Sequence, residues 1–186
     1  MIIAEIGFNH LGQLAKVEKY LEYLLSSDVD AITFQVRERE HRNKKPHRYL
    51  PDESFKDIFT QIKGAGKKVG IAIADPEYVS FFENLGADFY KVIRNDITNK
   101  NLLEILSNTG KRIYVSTGMA SENDIATFVE NPFVKKENFK LVHTQLSYSF
   151  EDCNLKSIET MRKYGLPVAY GSHCREELSL FMSLCY

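Results

Sequence analysis

Short β-forming runs alternate strictly with amphipathic helical runs along the chain, and that alternation limits the fold more than any other feature. The β-rich runs are 2–6, 31–36, 69–74, 89–93, 112–116, 139–144 and 167–173. Between them, apolar residues recur at helical spacing. The first helix carries Val17, Tyr20, Leu21, Leu24 and Leu25, and the second carries Phe55, Ile58, Phe59 and Ile62, with Asp52 as its expected N-cap. Asp75-Pro76 reads as N-cap plus first helical residue ahead of Val79, Phe82 and Leu85. Leu102, Leu103, Ile105 and Leu106 mark a fourth helix. Ser121 with Asp124 forms a capping-box pattern before the fifth, and Leu155, Ile158 and Met161 mark the sixth. The stretch 175–184 reads as a seventh.

Strands and helices in this order require parallel pairing with crossover helices, in an open doubly wound sheet or a closed barrel. Polar residues stand at the C-terminal ends of most β runs: Asn9, His10, Gln35, Asp75, Lys91, Ser116, His143 and His173. A barrel gathers all such ends at one mouth, whereas an open sheet uses only those at its switch point. No Gly-x-Gly-x-x-Gly follows the first run. A full barrel has eight strands and typically ~250 residues. The expectation is therefore an α/β TIM-type (β/α) barrel with about seven of eight units present, in one domain over 1–186.

Composition narrows the function classes. The formal net charge is −1, which gives no overall bias toward nucleic acid. Cys153, Cys174 and Cys185 are odd in number and form no Cys-x-x-Cys pair, which points to reduced thiols and a cytoplasmic setting. The start, Met-Ile-Ile-Ala-Glu, lacks the basic and unbroken apolar parts of a signal peptide. No apolar run approaches the ~18 residues that would cross a bilayer. One local feature departs from this balance: Arg37, Arg39, Arg42, Lys44, Lys45 and Arg48 crowd one short segment, read either as a solvated loop or as a source of phosphate-binding charge.

His143 and His173 end two successive β runs. Two imidazoles placed there can share a divalent metal and leave positions open for water and substrate. They can equally be unrelated polar residues at a rim, and spacing alone does not choose.

Ala4-Glu5-Ile6-Gly7-Phe8-Asn9-His10-Leu11-Gly12 resembles the opening motif of the sialic acid (N-acetylneuraminate) synthase family. Further segments resemble that family in its own order: Phe34-Gln35, Phe82 to Ala87 ahead of Tyr90-Lys91, Asp96 to Asn99, Ser116-Thr117-Gly118-Met119, Leu141-Val142-His143 with Ser147-Tyr148, Asn154-Leu155, and Pro167 to His173. The resemblance implies an eight-stranded barrel followed by an antifreeze-like domain, which is expected to be absent here. It implies condensation of phosphoenolpyruvate with N-acetylmannosamine or a related amino-sugar aldehyde, releasing phosphate and forming a nonulosonic acid. It implies a Mn2+ or Mg2+ ion on His143 and His173, acting as a Lewis acid toward the aldehyde oxygen. Glu5, His10, Lys91 and Asp96 take the catalytic positions of the family, and Asn9, Gln35, Arg94, Ser116, Ser147 and Tyr148 the substrate-binding ones. A homodimer is expected for the full-length form, with no nucleic-acid or membrane partner.

The sequence also departs from the family pattern. Thr33 replaces a lysine before the Phe-Gln pair, Asp75 replaces a phosphate-binding threonine, Arg94 replaces a serine, and Ser172 stands in place of an aspartate before His173. Two other readings therefore stand beside the synthase: a related barrel lyase or aldolase on another substrate, and a non-catalytic binding remnant. Arg94, with Lys91 and Ser116, is the expected anion site if one persists. The competing expectation pairs Arg94 with Asp75 or Asp96.

Overall fold

A computed structural model describes residues Met1–Tyr186. The strands are β1 (Ile3–Gly7), β2 (Ala31–Val36), β3 (Lys68–Ile73), β4 (Phe89–Val92), β5 (Arg112–Ser116), β6 (Phe139–Thr144) and β7 (Val168–Gly171). The helices are α1 (Leu14–Leu24), α2 (Arg39–Lys44), α3 (Ser54–Gly64), α4 (Val79–Asn84), α5 (Lys100–Asn108), α6 (Glu122–Val129), α7 (Lys156–Met161) and α8 (Leu178–Ser183). The sheet order is β1-β2-β3-β4-β5-β6-β7. A doubly wound sheet must reverse its order at a switch point, and this order never reverses. The chain divides into two compact units, Met1–Tyr90 and Lys91–Tyr186.

In the first unit, β1 pairs with β2 and β2 with β3, all parallel. The register of β1 slips between Glu5 and Gly7, where Gly7 has φ +55°. β2 and β3 are buried along almost their whole length, as parallel strands covered on both sides must be, with Thr33 and Gln35 as polar residues on one face of β2. Gly70 sits in mid-strand because a Cβ there would run into the ring of Phe89, which is itself buried. The helical spacing read from α3 places Phe55, Ile58, Phe59 and Ile62 in the core. Phe55 meets Phe82 of α4 edge-on, with ring centroids 5.2 Å apart. Burying a side chain of this size stabilises by roughly 1.5–3 kcal/mol.

Two local expectations change in this unit. Asp52 does not cap α3, which starts at Ser54 with no side-chain cap; the Asp52 carboxylate instead accepts a hydrogen bond from the Tyr78 hydroxyl. The basic segment is not a loop. It holds α2 and a 3-10 turn at Pro46–Arg48, and its cations are largely paired: Lys44 with Glu40, Arg37 with Glu38, Arg42 with Asp75. Those pairs relieve the like-charge repulsion that would keep such a run open.

In the second unit, β5 pairs with β6 and β6 with β7, again parallel. The Ser121–Asp124 capping box forms as its spacing predicts, closing the N-terminus of α6. Asn99 caps α5 by accepting from the Leu102 amide. Phe128 of α6 packs edge-on against Phe139 of β6 at 5.5 Å. A small core of Cys153, Leu155 and Ile158 is flanked by Val168, Tyr170, Cys174 and Tyr186. β7 stops at Gly171, two residues before its expected end, and α8 starts at Leu178, three later than expected from 175. The Ser172 and Ser179 hydroxyls hydrogen-bond across the intervening turn.

Candidate functional site

In the first unit, the turn after β1 is built around His10. The ring is buried, and its Nδ1 accepts the Gly12 amide at 2.9 Å. An amide only donates, so Nδ1 carries the lone pair and the imidazole is neutral. Burial pushes its pKa down, and a hydrogen bond to the Gly7 backbone opposes that in part. Gly12 has φ +74°, and a Cβ there would meet the carbonyl of His47, so this glycine lets the basic segment close over the turn. Asn9 stands exposed in the same turn.

Glu5 and Gln35 converge on Gly7. A Cβ at Gly7 would lie 3.7 Å from the Glu5 carboxylate and 3.8 Å from the Gln35 Oε1. Gln35 is half-buried, and it borders a cleft of about 900 Å³ lined also by His10, Arg42, Tyr49, Phe55 and Tyr78. Asp75 does not present a bare charge. One oxygen accepts the Glu77 amide at 3.1 Å, as the Asp-Pro signal predicts, and the other accepts from Arg42 Nη2 at 2.6 Å. The Arg42 guanidinium lies 3.7 Å above the Tyr78 ring. Thr33 is fully buried, and its hydroxyl has no hydrogen-bond partner.

In the second unit, Lys91 lies half-buried on β4 and Ser116 ends β5. Arg94 has φ +58° and donates to Asp96 at 3.1 Å, so of its two expected carboxylate partners Asp96 is engaged. Ser147 donates to Asp152 at 2.6 Å, and the exposed Tyr148 carries the Arg175 guanidinium 5.0 Å from its ring centre. Gly118 lies so close to β6 that a Cβ would sit 2.7 Å from the Thr144 carbonyl oxygen, which holds the Ser-Thr-Gly-Met segment against that strand.

His143 is buried, stacks on Tyr170 at 6.0 Å, and places Nε2 2.8 Å from the Cys153 carbonyl. A carbonyl only accepts, so Nε2 bears a proton, and in the neutral imidazole Nδ1 is then the nitrogen with the lone pair. This is how proteins orient a metal-binding imidazole: the second nitrogen donates to a backbone carbonyl. His143 therefore fits a metal ligand. His173 lies exposed beyond β7. No ready-made cluster of three or more potential ligands exists. Sequence reasoning passed over the Cys153 carbonyl, since any residue supplies one, and it passed over Tyr49 and Tyr78 as cleft walls.

Residues 13–184 match the NeuB family. The chain belongs to that family. Among NeuB-like relatives, it is 31% identical over 92% of its length to an uncharacterized protein of Methanocaldococcus jannaschii, covering 55% of that protein. It is 28% identical over 94% of its length to the N,N'-diacetyllegionaminic acid synthase of Campylobacter jejuni, covering 61%. The crystal structure of N-acetylneuraminic acid synthetase from Leptospira borgpetersenii, in complex with citrate, superposes with a TM-score of 0.88 at 26% identity, covering 98% of this chain and 68% of that one. This NeuB chain thus spans between about half and two thirds of the length of such relatives. No helix is long and apolar enough to cross a membrane.

Proposed function

We propose that this NeuB-family chain carries the catalytic part of a phosphoenolpyruvate-dependent synthase that makes a nonulosonic acid from an N-acylamino-sugar aldehyde. In the reaction, a carbon–carbon bond forms between the enolpyruvyl methylene carbon and the aldehyde carbon. The aldehyde oxygen takes up a proton, water adds at the enolpyruvyl C2, and phosphate departs. The observation that carries the reading is His143, whose Nε2–H is tied to the Cys153 carbonyl so that Nδ1 is left as a ligand atom. His143 and His173 would hold a divalent ion such as Mn2+ or Mg2+, which supplies Lewis-acid polarisation of a carbonyl oxygen.

The chain's own residues divide the remaining work. Glu5 is an exposed carboxylate able to move a proton or face a developing positive charge. Lys91 and Ser116 offer a cation and a hydroxyl to phosphate. Asp96, Asn9, Gln35, Ser147 and Tyr148 offer hydrogen bonds to the sugar, while His10, buried and bonded to the Gly12 and Gly7 backbone, holds the turn that carries Asn9. Arg94 enters the anion site together with Asp96, so it contributes less net charge than a lone guanidinium. Asp75 adds little repulsion, because Arg42 neutralises it and a helix start uses its second oxygen. We further propose a complete eight-unit barrel in the full-length protein, which acts as a cytoplasmic homodimer. One observation favours a different substrate: the Thr33 hydroxyl is enclosed and gives nothing to a phosphate where the resembling pattern has lysine.

The test is phosphate release by the purified chain supplied with phosphoenolpyruvate, Mn2+ and N-acetylmannosamine. The expected result is release that needs both sugar and metal and is lost in His143→Ala, which also loses Mn2+ binding by titration. A folded chain that releases no phosphate with any amino sugar, or a His143→Ala variant that binds Mn2+ normally, would overturn the assignment.

A further inference from the structure

β6 and β7 run parallel, with His143 opposite Tyr170 and Thr144 opposite Gly171, so the segments leaving them emerge side by side at one end of the second unit. Each segment brings a cysteine there. Cys153 follows the 3-10 turn Phe150–Asp152, and its amide donates back to the Phe150 carbonyl. Cys174 stands in the turn after Gly171, the last residue of β7. Its side chain packs on Cys153 in the small core of this unit, close enough for the two thiols to share a hydrogen bond. Both are free thiols.

The two sulfurs differ in what reaches them. Cys153 is 3% exposed, and its thiol donates to the Ser149 carbonyl at 3.6 Å. Cys174 is half-buried, and its Sγ accepts the Glu176 amide at 3.4 Å, which fixes it beside Cys153. An oxidant from solvent therefore meets Cys174 first, with Cys153 in contact behind it. That is the arrangement of an attacked cysteine and a resolving one. The pair also touches the candidate site. The Cys153 carbonyl accepts the Nε2–H of His143, and Tyr170 stacks on that imidazole while its hydroxyl bonds to the Cys153 sulfur. A bond made at the Cys153 sulfur acts on the same turn that orients His143.

We propose that Cys153 and Cys174 are a redox site, joined into a reversible disulfide by hydrogen peroxide, and that the bond ties the turn holding His143 to the turn after β7. In the first step the Cys174 sulfur attacks one peroxide oxygen. The O–O bond breaks, Cys174 becomes a sulfenic acid, and the other oxygen leaves as water with the thiol proton. The Cys153 sulfur then attacks the Cys174 sulfur, the S–O bond breaks, and the hydroxyl departs with the Cys153 proton as a second water. The two thiols together lose an electron pair, and the peroxide takes it up. Thiols are reduced at rest in a cytoplasm, where a protein disulfide is usually transient and redox-sensing. The inference does not depend on what the site catalyses.

Hydrogen peroxide added to the fully reduced chain tests it, read by alkylation and peptide mapping in a mass spectrometer. Two of the three thiols should disappear together, linked as Cys153–Cys174, while Cys185 stays open to alkylation, and dithiothreitol should restore both. Cys153→Ala should leave Cys174 as a sulfenic acid that dimedone traps. Cys174→Ala should slow the oxidation of Cys153 by at least roughly tenfold, because only the buried thiol of the pair remains. The imidazole nitrogen resonances of His143 should shift on oxidation in the wild type and stay in place in both variants. If the cavity left by Cys153→Ala unfolds the chain, the wild-type map and the Cys174→Ala rate still decide. A link from Cys174 to Cys185, a link between chains, or a Cys153–Cys174 pair that stays alkylatable while Cys185 is consumed would overturn the pairing. A Cys153–Cys174 bond that leaves the His143 resonances unmoved would overturn its hold on the turn.

Discussion

Replacing Arg42 by alanine takes the cation away from a carboxylate with almost no access to water. The Asp75 side chain is 5% exposed and that of Arg42 16%, with 2.6 Å between Nη2 and Oδ2. At an effective dielectric of ~20, unit charges ~4 Å apart attract by roughly 4 kcal/mol. Desolvation cancels part of that in the intact pair, yet breaking such a pair from one side typically costs about 3–5 kcal/mol, since the remaining charge stays buried. Asp75 keeps the Glu77 amide, which lowers the loss, while the stacking on Tyr78 is forfeited, which adds roughly 0.5–1 kcal/mol. Arg42→Ala should therefore destabilise by about 3 kcal/mol. Asp75→Asn should cost less, because Arg42 at 16% is more exposed than Asp75 and the helix start keeps its acceptor. Urea unfolding followed by circular dichroism, on both single variants and the double variant, gives the coupling. A loss below about 1 kcal/mol in Arg42→Ala, the range of exposed pairs, would refute the view that this contact is a buried neutralising pair.

Two further outcomes follow from the geometry. Gly70→Ala drives a Cβ into the Phe89 ring and should cost about 1–3 kcal/mol, with Phe89→Leu restoring part of it in the double variant; unchanged unfolding would refute the close approach. His10 has a folded pKa below its unfolded value of 6.5, so the unfolded chain binds more protons in that window; stability should be full above the unfolded pKa and decline as pH falls from about 7 toward about 5. His10→Asn keeps an acceptor for the Gly12 amide and should flatten that slope, and an equal slope in both proteins would place the titration elsewhere.

The alternation of β-rich and helical runs was enough to determine the type and order of nearly every element. Period-two and period-3.6 patterns are written by burial, and burial leaves its mark on each residue separately. Phe55, Ile58, Phe59 and Ile62 all face the core, Asp75 caps the turn before α4, and the Ser121 capping box forms, because each signal is contained within a few neighbouring residues. The candidate His143 was legible as a polar residue ending an apolar strand.

Only the tertiary structure decided what those residues touch. Arg42 meets Asp75 across 33 positions of sequence, and the basic run consequently folds as helix and turn instead of a cationic loop. Asp52 looks like a helix cap but is drawn to Tyr78, 26 residues away. The His143 tautomer is set by the Cys153 carbonyl, a backbone group with no signature in residue type. Gly70 has an ordinary strand conformation, and its need for a missing side chain comes from Phe89 alone. Local patterns fix the elements because the forces that form them act over a few residues. Charge pairing, proton placement and close packing depend on neighbours far away along the chain, and those neighbours exist only once it has folded.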